Sequence, residues 1–414
     1  MVQTKNKSYF NYLYIAIIIL RSPLQGTILT FDGKGRIILI LTLIAFFLNI
    51  NKSQFKRLFF SRPIVLWFIW CIYAIANTYI KGYSNADTSF TYFAINQILC
   101  PCVLMTICAY EYMNSSATFL KTLLYIFLTY AFIGAYIMDI NYIAEAEGIL
   151  EKNTLGNALA LNVIMIAFFT GVLYCRKELT LKVTVILILL TVGIVVMSAT
   201  RKALGAVAIM IIALIFSTAK FTYERFVKLI LPIIVLYVGF TYIMENTQMG
   251  ERLSSLEEQT ANVEMKYDVG DSFFLKAVGD RAPQYIIGTE IFKQYPISGI
   301  GLTNFIKVSK YPFRLHTEYM VQLCECGIIG FALFIIFYAN IILNLFKKIK
   351  TGNEGKEMSI MMLGGIVSLL FLYLTTWSYN ISTYFAVIGT VIGYIKLNMK
   401  YDKNWYTREK EFLQ

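Results

Sequence analysis

Charge is scarce in this chain of 414 residues. Asp, Glu, Lys and Arg together make up 15% of it, whereas a soluble domain carries about 25%. That deficit, with 57% hydrophobic residues and a mean hydropathy of +0.62, excludes an ordinary cytosolic enzyme. Proline at 7 and glycine at 25 are too few, and aromatics at 15% too many, for a collagen-like or disordered chain. Seven cysteines form neither a disulfide framework nor a zinc spacing, and most lie inside apolar runs (Cys71, Cys100, Cys102, Cys108, Cys175). Cys324 and Cys326 stand two apart and cannot share one helix face. P-loop, GxGxxG, HExxH and GxSxG patterns are all missing, so ATP, dinucleotide, zincin and serine-hydrolase chemistry find no support. The remaining class is an all-α polytopic membrane protein.

What is present is a series of apolar runs. A bilayer core of about 30 Å needs about 20 apolar helical residues. Twelve stretches qualify: 8–24, 36–50, 62–80, 89–110, 119–139, 155–175, 182–199, 203–219, 227–244, 322–346, 357–376 and 379–397. The pair at 182–219 cannot be one span, because 38 residues would extend about 57 Å as a helix. SATRK (198–202) is therefore a turn near a membrane face. The first run lacks a small-residue cleavage site and reads as the first span rather than a signal peptide. No internal repeat is visible.

The net charge of +12 fits cytoplasmic loops better than nucleic-acid binding. With the N-terminus inside, 22 of the 37 basic residues fall on cytoplasmic segments and seven on short outer loops. The other eight lie in one long outer segment, 245–321, which is too long to count in the positive-inside rule. Both termini are thus expected in the cytoplasm. The expected organisation is helices over 1–244, the long periplasmic loop over 245–321, helices over 322–397 and a cytoplasmic tail over 398–414.

Chemistry is expected in the long loop. It opens polar and acidic, then turns amphipathic at 281–296, with Ile287 and Ile291 four apart and Tyr285 and Phe292 beside them. That spacing suits a helix on a membrane surface or over a cavity. Pro296 and the glycines of ISGIGLTNF (297–305) end it in a tight turn. The single histidine, His316, follows between Arg314 and Glu318 at the mouth of a span. A lone histidine is more often structural than catalytic, and it is this position that makes His316 a candidate. Glu318, Gln322 and Glu325 sit at i, i+4 and i+7. Acids entering a membrane helix are costly, so this stripe should face protein or a water-filled cavity. Among the basic residues, Arg201 occupies the turn after the seventh span and Arg281 opens the amphipathic segment. Guanidinium forks match phosphate oxygens bidentately. The bland alternative is snorkelling toward lipid headgroups. No DxD pair appears on the outer side.

Three pieces carry a family likeness: SATRKALGAV (198–207), GDRAPQYIIGTEIFKQYPISGIGLTNF (279–305) and HTEYMVQLCECGIIGF (316–331). In order and spacing they resemble the O-antigen ligase and O-antigen polymerase superfamily, membrane glycosyltransferases of the GT-C type. The likeness covers about 150–345, and the first 150 residues match only in hydropathy. It implies an inverting transfer, without nucleotide, metal or other cofactor, of a glycan from undecaprenyl diphosphate to a sugar hydroxyl at the outer face of a bacterial inner membrane. On this implication Arg201 and Arg281 bind the diphosphate, while His316 or Glu318 handles the acceptor proton. Arg314, Asn304 and Gln322 are candidate sugar contacts or supports. The implied partners are the lipid-linked donor, a glycan or lipid A-core acceptor and a chain-length regulator, with no nucleic acid. Polymerase is the preferred version and ligase the alternative. A lipid-linked glycan transporter stays open as a third reading.

Overall fold

The computed structural model describes residues 9–20, 43–44, 46–48, 50–84, 89–146, 154–198, 200–218, 282–311, 314–351, 355–376 and 381–397. The expected span at 227–244, most of that at 36–50, the acidic opening of the long loop with Arg281, and the 398–414 tail lie outside them. Every regular element among the described residues is helical, and the α-helices longer than one turn are α1 (Tyr9–Leu20), α2 (Lys52–Phe59), α3 (Arg62–Lys81), α4 (Cys100–Ala146), α5 (Thr154–Cys175), α6 (Leu181–Met197), α7 (Arg201–Thr218), α8 (Ala282–Gln294), α9 (Phe305–Ser309), α10 (Cys326–Thr351), α11 (Lys356–Leu372) and α12 (Ser382–Lys396). A helix satisfies all its backbone groups within one segment, which lipid demands.

Three described helices are long and apolar enough to cross a membrane: Arg62–Lys81, Phe90–Gly134 and Glu318–Thr351. Shorter apolar helices lie at Asn11–Leu20, Leu159–Cys175, Leu181–Met197 and Lys202–Thr218. The 45 residues of Phe90–Gly134 would extend about 68 Å if straight, more than a bilayer holds. Ser115 breaks them, with φ −151 and ψ 61, between the two spans expected there. The helix is also interrupted where the 198–202 turn is expected, since α6 ends at Met197 and α7 begins at Arg201.

Small residues let the helices approach closely, as in other membrane bundles. A Cβ on Gly389 would meet the Met105 carbonyl oxygen at 2.3 Å, and one on Gly393 would meet that of Ala109 at 2.7 Å, so α12 runs parallel to the first half of α4. α7 and α11 run antiparallel, with Gly205 against Phe371 and Gly364 against Ala213. The Ser368 hydroxyl donates to the Ala206 carbonyl at 2.7 Å between them.

This packing sorts the bundle into two ends. At one, Lys121 pairs with Glu178 at 2.7 Å, Lys348 donates to the Tyr394 carbonyl, and the Asn51 N–H donates to the Tyr110 hydroxyl. The basic residues of 52–62, 176–182, 347–356 and Lys396 gather there. At the other end lie the start of α7, the described residues of 282–318 and residues 373–376 after α11.

Candidate functional site

The second end is organised by a break in a helix. Glu318–Met320 leads through a π-helical stretch, Val321–Glu325, into α10, where Gly327 turns out of helical geometry with φ 64 and ψ −170. The break frees carbonyls and N–H groups that must be paired when buried. The 296–301 turn pairs them. The Ile300 and Gly301 N–H groups donate to the carbonyls of Cys324 (3.1 Å) and Glu325 (2.8 Å), while the Ile328 and Ile329 N–H groups donate to those of Pro296 (2.8 Å) and Ile297 (3.3 Å). The second and third motifs of the sequence are therefore one backbone-bonded knot.

α3 closes the knot from the other side. The Tyr73 hydroxyl donates to the Cys326 carbonyl at 2.7 Å, and the Asn77 amide to the carbonyls of Ser298 (2.7 Å) and Glu325 (3.3 Å). The Thr78 hydroxyl accepts from the Leu302 N–H at 3.0 Å. Asn304 donates to the carbonyls of Gly82 and Ile300 and accepts from Ser84, so its amide is engaged within the loop. Sequence reasoning passed over these α3 residues. The available signal was the polar pair Asn77–Thr78 in an otherwise apolar span.

The acidic stripe does face protein, though not as one face. Glu318, Gln322 and Glu325 are all buried. Gln322 donates to the Glu318 carboxylate at 2.6 Å and accepts from the Trp70 indole N–H at 2.8 Å. The wider π-helical turn swings Glu325 away from that line, and its carboxylate instead accepts from the N–H groups of Thr303 (3.0 Å) and Phe305 (3.2 Å). Arg314, half-buried, is close enough to Glu325 to interact with its charge. Trp70→Phe keeps a ring stacked near Trp67, whose centroid lies 4.6 Å away, but removes the donor. It should lower stability by about 1–3 kcal/mol through the unpaired Gln322 oxygen. Gln322→Leu should then cost less than it does alone, the remainder being its lost bond to Glu318. Fully additive unfolding shifts would show that the two side chains are uncoupled.

The His316 backbone is fixed on both sides. Its N–H donates to the Gln284 side chain of α8 at 2.8 Å, and the Glu318 N–H donates to the Tyr373 carbonyl at 2.9 Å. The Tyr285 hydroxyl bonds the next carbonyl, Leu374, at 2.7 Å. His316 itself is half-buried while its neighbours Leu315 and Thr317 are buried.

α8 occupies the expected amphipathic stretch, but its buried side is formed by Ala282, Gln284, Tyr285, Gly288 and Ile291, with Ile287 and Phe292 only half-buried. Its partner is protein: Gly288 lies against Met320 and Leu315. Arg281, outside the described residues, immediately precedes this helix. Arg201 is the first residue of α7, one turn before Gly205, which packs on Phe371 close to Tyr373. The start of α7 with Arg201, the start of α8 and the segment carrying Arg314, His316 and Glu318 thus meet around the end of α11.

An α-helical membrane bundle with a buried polar knot at one end is the class these features define. Residues 185–335, from α6 into α10, match the O-antigen ligase family model. The match supports assignment to the O-antigen ligase and O-antigen polymerase superfamily, whose members are glycosyltransferase-like membrane enzymes. No curated protein matches the chain at a significant level.

Proposed function

We propose that this protein is a surface-polysaccharide polymerase of the O-antigen type. It transfers an undecaprenyl-diphosphate-linked glycan to the hydroxyl of an acceptor sugar at the outer face of the bacterial inner membrane. The observation that carries this reading is the meeting of three motif-bearing segments at the end of α11: the start of α7, the start of α8 and the 314–318 segment. In it, the guanidinium groups of Arg201 and Arg281 hold the donor diphosphate and stabilise its charge as it leaves, as preorganised cations do. His316 takes the acceptor proton, since an imidazole titrates near the working pH. Its half-buried position favours it over Glu318, whose carboxylate is buried and bonded to Gln322. Asn304 and Gln322 act as supports of the knot, and Arg314 as a counter-charge to Glu325. The basic residues at the opposite end of the bundle favour that end as the cytoplasmic one.

The ligase reading, with lipid A-core as acceptor, is the alternative, and the family match is compatible with both. One gel separates the two. Deleting the gene in its host should leave surface core bearing one repeat if the chain is a polymerase. For a ligase, bare core should appear while polymer accumulates on the carrier lipid. An unchanged ladder would reject both.

A further inference from the structure

The opposite end of the bundle carries cations that glycan transfer does not use. Arg57 lies in the last turn of α2, Arg62 is the first residue of α3, and Lys396 is the last of α12. α4 brings these elements together. Asn51 caps α2 by accepting from the N–H groups of Ser53 and Gln54, and its own N–H donates to the Tyr110 hydroxyl at 2.8 Å. The Phe55 ring lies 6.2 Å from that of Tyr110. Gly393 packs against Ala109 and Tyr112, one turn before Lys396. Lys396 is consequently close enough to Arg57 and Arg62 to interact with both charges.

Like charges so arranged repel, and a low-dielectric surround strengthens the repulsion. Among the described residues none of the three makes an ion pair. Arg57 and Arg62 are exposed and Lys396 is half-buried. The flank is apolar and open: Phe60 is 67% exposed and Leu48 79%. Phe60 lies 5.6 Å from Phe59, and Phe47 lies 6.0 Å from Phe55, ring centroid to centroid. The ligand that fits is an anion with an apolar body. We infer that Arg57, Arg62 and Lys396 form a binding site for the phosphodiester headgroup of an anionic phospholipid in the adjoining leaflet, its acyl chains lying along Leu48 and Phe60. General attraction of basic loops to a charged leaflet depends on how many cations are present. A site depends on which ones.

The full-length protein in neutral detergent, mixed with phosphatidylglycerol and phosphatidylcholine, tests this by native mass spectrometry of retained lipid. Wild type should retain phosphatidylglycerol selectively. Arg57→Gln and Arg62→Gln, both at exposed positions, should each weaken retention about fivefold, the contribution of one cation near a charged surface. The triple variant with Lys396→Gln should lose it. A control triple, Lys182→Gln, Lys347→Gln and Lys350→Gln, removes the same charge from exposed positions at the same end and should retain lipid as wild type does. Equal loss in both triples, no effect of either single substitution, or equal displacement by excess inorganic phosphate would each overturn the inference.

Discussion

His316→Ala is expected to abolish glycan transfer while leaving the protein folded and inserted. Loss of a positioned proton acceptor typically lowers rate by about 10²–10⁴-fold. The backbone on either side of His316 is held by Gln284 and Tyr373 through main-chain N–H groups, which alanine retains. Removing the imidazole should therefore leave the 314–318 segment in place. Arg281→Ala should have a comparable effect by removing a diphosphate ligand. Arg201→Lys should also be damaging, because an ammonium keeps the charge but not the bidentate fork. The assay is product formation by purified protein from a lipid-linked donor, with thermal unfolding as the check on folding. If all three variants turned over normally, these residues would not be the site, whatever the family.

Gly327→Ala should be nearly as harmful without touching any reacting group. At φ 64 and ψ −170 the residue occupies a region that only glycine visits readily, at a cost of about 1–3 kcal/mol for other residues. An added Cβ would also lie 2.4 Å from the Ile297 carbonyl oxygen and 2.6 Å from the Gly299 nitrogen. These contacts are backbone and cannot rotate away. The 296–301 turn would have to lift off, losing its bonds to Ile328 and Ile329. Melting temperature, protease sensitivity of the 295–310 segment and transfer activity should all report the change. Gly193→Ala supplies the contrast, since nothing lies within 4 Å of its Cβ position. Equal behaviour of the two variants would mean that the knot does not hold the site together.

The glycines and proline of 296–301 announced a tight turn, and His316 with the following acids announced a polar helix entrance. Both features are in the fold. Less legible was their relation, since a pairing between main-chain groups leaves little mark on side-chain patterns. The i, i+4, i+7 spacing of Glu318, Gln322 and Glu325 assumed a regular α-helix, and the π-helical stretch separated the third acid from the other two. In α8 the side chain on the buried side that bonds the His316 backbone is Gln284, a polar residue that hydrophobic periodicity does not count. Trp70 and Asn77 belong to an early span with no motif, and only folding brings them beside residues more than two hundred positions later.

Composition and periodicity by themselves determined that this chain is helical and membrane-embedded, where its helices break near Ser115 and 198–202, and which short segments carry charge into apolar surroundings. Those properties are local, because lipid requires each spanning segment to satisfy its own backbone and tolerates few ions. The tertiary structure decided which segments meet: that α3 braces the Gly327 break, that Glu318 is tied through Gln322 to Trp70, and that the ends of α2, α3 and α12 bring Arg57, Arg62 and Lys396 together. Such contacts depend on close packing at a few glycines and on backbone groups left free by irregular turns. Neither is set by a residue's own neighbours in the chain.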